Sequence, residues 1–153
     1  MTRLLPVIEH GWPHDADRPR VLLEDDGGSG GPTERYLIAH GYDVAVCRGP
    51  NGSHELCGLL IEGRCRLAAR ADVVYTRLHW GDRDRRQVLD SLRERYPDTP
   101  VVIELPHGER WPDPHALDGR ELVLSQAGPK AIREAIERAL AAAHTEPETP
   151  PTD

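Results

Sequence analysis

The stretch Ala71–Leu78, A-D-V-V-Y-T-R-L, decides how the chain folds. Val73, Val74 and Tyr75 form an unbroken β-favouring apolar run, as expected of a strand buried on both faces of a parallel sheet. A short helix would tolerate the same run, so the sequel decides. Gly81 breaks the strand and Asp82 is placed to N-cap a helix over Asp82–Tyr96. There Val88, Leu89, Leu92 and Tyr96 recur at helical spacing, and arginines and carboxylates fill the rest. Pro97 ends the helix, and V-V-I-E-L at Val101–Leu105 gives a second buried strand, completing a β-α-β crossover.

Outward from this unit the same alternation continues. Val21–Glu24 reads as the first strand, and it runs into Asp25, Asp26 and the loop G-G-S-G-G. Pro32 suits the first position of a helix to about His40, with Gly41 as its stop. Tyr42–Cys47 reads as the second strand and Glu121–Leu124 as a short fifth. Pro129–Ala143 is the most regular helix, with Ile132, Ala135, Ile136, Ala139 and Leu140 on one face. Between Arg48 and Arg70, Leu56, Leu59, Leu60 and Ile61 support a helical turn or two, interrupted by glycines. In Pro106–His115, P-H-G-E-R-W-P-D-P-H, the prolines make the fourth helix weak or missing.

The 153 residues suffice for one domain with a core. Residues 1–19 are expected to form a loosely ordered arm, with Leu4, Leu5, Val7 and Ile8 as candidates to pin it, and residues 144–153 a disordered tail. With 26 acidic against 19 basic side chains the net charge is −7, which disfavours nucleic acid and anionic membrane as partners. No apolar run approaches the roughly 20 residues that span a bilayer, and the opening residues lack a secretory pattern, so a cytoplasmic location is expected.

Five strands alternating with helices imply a flavodoxin-like α/β fold, an open parallel five-stranded sheet with helices on both faces. V-L-L-E-D-D, G-Y-D-V-A-V, A-D-V-V-Y-T-R-L, Y-P-D-T-P-V-V-I-E-L and L-V-L-S-Q, in that order, resemble a response-regulator receiver domain over roughly residues 20–143. The resemblance implies an acidic pair that binds Mg²⁺, a phosphoacceptor aspartate ending the third strand and a lysine ending the fifth. Glu24 and Asp25, or Asp25 and Asp26, match the acidic pair. Arg77 stands at the acceptor position and Gln126 at the lysine position. An arginine offers no nucleophilic oxygen and is always cationic. A degenerate, non-phosphorylatable pocket follows, with no phosphorylation-dependent Mg²⁺ expected and Arg77 able to pair with the acidic residues.

The cysteine-bearing segment after the second strand is what a plain receiver does not explain. Cys47, Cys57 and Cys65 are the only cysteines, and the interval from Cys47 to Asp72 exceeds the roughly 10–12 residues of a short crossover. One reading is an iron–sulfur cluster or Zn²⁺ held by the three thiolates, with His54 as a candidate fourth ligand. A second is a reversible disulfide between two of them, and a third is that all are structural. The G-G-S-G-G loop lacks G-x-G-x-x-G spacing and lies beside two aspartates, so a surface loop is expected there. His79, His107 and His115 carry no metal-ligand spacing. Trp80 and Trp111 are candidates for a contact surface, since tryptophan is enriched at interface hot spots.

No catalytic constellation stands out, so the chain is not expected to be an enzyme. The expected function is a regulatory protein-interaction module of pseudo-receiver type, binding another protein or a second copy of itself. The alternative is an iron–sulfur electron carrier or small redox subunit using Cys47, Cys57 and Cys65.

Overall fold

A computed structural model describes residues 12, 17–24, 31–47, 57–77, 83–105, 121–125 and 128–144, the side chains of 84, 85 and 121–125 excepted. The chain runs β1 (Arg20–Glu24), α1 (Pro32–Ala39), β2 (Asp43–Cys47), α2 (Gly58–Ile61), α3 (Arg66–Arg70), β3 (Val73–Arg77), α4 (Arg83–Arg95), β4 (Val101–Leu105), β5 (Glu121–Ser125) and α5 (Pro129–His144). All four strand pairings are parallel and the order is β2-β1-β3-β4-β5. This is the expected flavodoxin-like sheet, with β1, β3 and β4 inside it. The apolar run of Ala71–Leu78 lies in β3, and Val73, Val74 and Tyr75 are at most 2% exposed.

The pleat sends alternate residues to two faces. Val21, Leu23, Val44, Val73, Tyr75 and Val102 join Leu37 of α1 and Ile132, Ala135, Ile136 and Ala139 of α5. On the other face Leu22, Ala45, Val74, Val101, Ile103 and Leu105 meet Leu59 of α2, Ala68 of α3 and Val88, Leu89 and Leu92 of α4. The apolar stripes anticipated for α4 and α5 are the surfaces these helices bury.

α1 begins with Pro32 just inside its start. It ends in a Schellman turn: Tyr42 N–H reaches Leu37 O at 3.1 Å and Gly41 N–H reaches Ile38 O at 3.2 Å. Gly41 sits at φ 91°, where a side chain would be strained. Tyr42 and Leu37 then pack in the same cluster, so the turn aims β2 directly into the sheet.

The cysteine-bearing stretch is the connection from β2 across β1 to β3. Its described part holds two short helices, α2 and α3, parted by a turn at Gly63. Trp12, in the segment expected to be a loosely ordered arm, is 5% exposed in the α2–α4 cluster. The Arg20 guanidinium lies 5.7 Å from its ring centre. Leu4, Leu5, Val7 and Ile8, the region 106–120 and the residues after His144 lie outside the described residues.

Candidate functional site

The carboxyl ends of β1, β2, β3 and β4 line up Glu24, Cys47, Thr76, Arg77 and Glu104. Glu24 is in register with Cys47 on one side and Thr76 on the other, and Arg77 is in register with Glu104. Strand alternation splits the row between faces. Glu24 and Thr76 follow Leu22 and Val74 toward the α2–α4 face, whereas Arg77 and Glu104 follow Tyr75 and Val102 toward the α1–α5 face.

Glu24 is 5% exposed, a burial that costs free energy unless the carboxylate is hydrogen-bonded. The Thr76 hydroxyl donates to Glu24 Oε2 at 2.7 Å, a short bond of the charge-assisted kind. Arg77 Nε–H points at both Glu104 Oε2 and Tyr75 Oη, each at 3.3 Å. The Arg77 side chain is 46% exposed against 10% for Glu104, so the pair presents a cation anchored by a nearly covered carboxylate.

The sequence pointed to the acidic residues after β1 as partners for Arg77. Among the described residues Arg77 meets Glu104, one strand over and on the opposite face from Glu24. Glu104 was legible as the single charge inside V-V-I-E-L, the strand that the β-α-β unit sets beside β3, but its register with Arg77 is settled only by the folded sheet. Asp25, Asp26 and Gln126, the other members of the pocket expected to be degenerate, lie outside the described residues, as do Trp80 and Trp111 of the expected contact surface.

Cys47, Cys57 and Cys65 are all partly buried against the α2–α4 cluster, and no disulfide joins them. Cys57 is the N-cap residue of α2 and Cys65 that of α3, where its sulfur accepts Ala68 N–H at 3.5 Å. Burial pushes the Cys65 thiol up, partly opposed by backbone N–H groups and reinforced by nearby Cys57 and Glu24. Tyr96, just past α4, bonds the Cys65 backbone twice: its oxygen accepts Cys65 N–H at 3.1 Å and its hydroxyl is 3.2 Å from Cys65 O. Tyr96 was expected only as part of an apolar stripe; a tyrosine closing such a stripe beside a cysteine loop was the available signal.

The three cysteines share a cluster without forming a metal cage. Among the described residues no group of three His, Cys, Asp or Glu side chains is disposed to hold a metal ion. His54, the candidate fourth ligand, lies outside them. Nor is any helix among them long and apolar enough to cross a membrane.

No protein-family model and no curated protein matches the chain. Solved structures do. The signal receiver domain of a Luxo repressor protein from Vibrio parahaemolyticus is 21% identical with a TM-score of 0.60, covering 82% of this chain and 92% of its own. A response regulator receiver domain protein of Clostridium thermocellum is 19% identical with a TM-score of 0.60 over 81% and 95%. An orphan response regulator of H. pylori is 21% identical with a TM-score of 0.53 over 80% and 96%. The chain therefore has the receiver fold, at identities where the likeness is one of architecture.

That fold raises the question of Mg²⁺: among the described residues Glu24 is covered and bonded to Thr76 and a guanidinium ends β3, while Asp25 and Asp26 lie outside them.

Proposed function

We propose that this chain is a receiver-fold regulatory module that acts by binding another protein and takes no phosphate. The observation that carries the reading is Arg77 at the last position of β3, held by Glu104 and Tyr75. A permanently cationic side chain without a nucleophilic oxygen cannot form an acyl phosphate. Anchored as it is, it offers a fixed positive charge at the strand ends, where open α/β sheets place their sites. Arg77, with Trp80 and Trp111, which follow β3 and β4 in the sequence, is the proposed contact surface, and the cysteine-bearing segment is its redox-responsive part. No catalytic step is assigned to it.

The test is incubation with a small-molecule phosphodonor such as acetyl phosphate and Mg²⁺, followed by intact-mass measurement. No phosphoryl adduct is expected. An adduct on Glu24, Asp25 or Asp26 would overturn the reading. The iron–sulfur alternative is tested by visible absorbance and iron content of protein purified without oxygen; a coloured, iron-bearing protein would replace the module with an electron carrier.

A further inference from the structure

Two of the three cysteines leave the neck of one closed loop. Cys57 immediately precedes Gly58, and Cys65 immediately follows Arg64. Arg64 N–H donates to Gly58 O at 3.3 Å, and Glu62 N–H donates to the same oxygen at 2.8 Å. The approach is so close that a Cβ built on Gly58 would stand 2.5 Å from the Arg64 carbonyl oxygen. Gly63, at φ 68°, turns the chain back. Each cysteine is therefore one residue, about 3.8 Å of Cα path, from a backbone contact. Both side chains pack, partly buried, against the cluster that includes Leu59, Ala68 and Val74. Cys57 lies near enough to help raise the Cys65 thiol, which agrees with that proximity. Cys47 differs, because the β1–β2 register fixes it at the end of a strand beside Glu24.

We propose that Cys57 and Cys65 are a dithiol–disulfide pair, oxidised by a low-molecular-weight disulfide such as glutathione disulfide, with Cys47 left as the third thiol. The reaction balances as two exchanges. The Cys57 thiolate attacks one sulfur of the small disulfide, forming a mixed disulfide and expelling one small thiolate, which takes up the proton Cys57 gave. The Cys65 thiolate then attacks the Cys57 sulfur and expels the second small thiolate, again with its proton. Two protein thiols and one small disulfide become one protein disulfide and two small thiols.

Cys57 attacks first because burial holds Cys65 in its thiol form. A disulfide needs Cα atoms roughly 4.4–6.8 Å apart, which the neck of a closed loop can meet with little rearrangement. Drawing Cys65 toward Cys57 also pulls on Tyr96, and through it on the carboxyl end of α4. The link from this bond to partner binding rests on the module reading above; the bond itself does not.

The experiment uses the full chain, reduced and then held under native conditions with excess glutathione disulfide. Thiols are counted in denaturant before and after, and a non-reducing tryptic map follows. Thiols should fall from three to one, the chain should lose two hydrogens without a retained adduct, and residues 49–64 should be joined to residues 65–66. Cys47→Ser should still form the bond, with thiols falling from two to none. Dithiothreitol should restore the starting state. Three surviving thiols, stable mixed disulfides without an internal bond, or a bond that uses Cys47 would each overturn the proposal. Phosphoryl labelling would sink the module reading and leave this thiol count untouched, so the two failures are distinguishable.

Discussion

The two faces of the sheet are built from different materials. Over one face, α1 and α5 of 8 and 16 residues bury leucine, isoleucine and alanine against valines and Tyr75. Over the other, α2 and α3 of 4 and 5 residues share the work with α4 and Trp12, and the cluster takes in three cysteines beside a buried Glu24. A long amphipathic helix closes a sheet with apolar area alone. Two short ones cannot, so polar bonds such as Thr76–Glu24 and Tyr96–Cys65 hold the second face together. The first face is closed by long helices, and the second carries the three cysteines.

That contrast breaks most sharply at Ile136, which is fully buried on the α5 side. Ile136→Ala should cost about 3 kcal/mol through lost transfer energy and a residual cavity, measured by urea unfolding, while leaving Cys57–Cys65 oxidation intact. If it abolished the disulfide, the faces would not be separable. Gly58→Ala acts on the opposite face and should cost roughly 2 kcal/mol, because the new Cβ meets backbone that must move. It should also slow disulfide formation in the thiol count; an unchanged rate would mean that the closed loop does not align the pair.

Thr76→Val keeps the shape and removes the hydroxyl that donates to the covered Glu24 Oε2. A loss of about 1–2 kcal/mol in the same unfolding experiment is expected. Smaller still is the alkaline effect, in which each face has one participant. Burial raises Cys65 on one face and Tyr42 on the other, the latter helped by Glu137 and opposed by Arg133. Both folded-state values lie above the unfolded ones, so the folded chain holds these protons more tightly. Their stabilising contribution is complete below the unfolded values of 9.0 and 10.0 and declines as pH rises through and beyond them. Melting curves from pH 8 to 10.5 should therefore fall, with Cys65→Ser flattening the earlier part and Tyr42→Phe the later part. A single slope unaffected by either variant would show that neither group governs the decline.

Much of the architecture was written in local pattern. Apolar runs of four or five residues, prolines at the starts of α1 and α5 and Gly41 after α1 mark elements through backbone sterics and periodicity, which act over a few residues. Arg77 at the end of β3 was legible in the same way. Of the acids offered to Arg77, Asp25 and Asp26 lie outside the described residues, and the partner seen among those described is Glu104, because strand order sets which side chains are neighbours and the pleat sets which face each one takes. The arm offered no periodicity, and its Trp12 is buried in a core that forms only when α2 and α4 come together over β1 and β3.

Composition and alternation along the chain thus determined an open parallel sheet, its element sequence and the arginine that ends β3. Neighbours far apart in the chain were settled by folding: Thr76 with Glu24, Arg77 with Glu104, Tyr96 with Cys65, and Cys57 beside Cys65 at the neck of a turn. Residue type and spacing encode what a side chain can do and how the nearby backbone runs. Which groups meet depends on strand order and loop closure, since both bring together residues whose separation in sequence carries no trace of the contact.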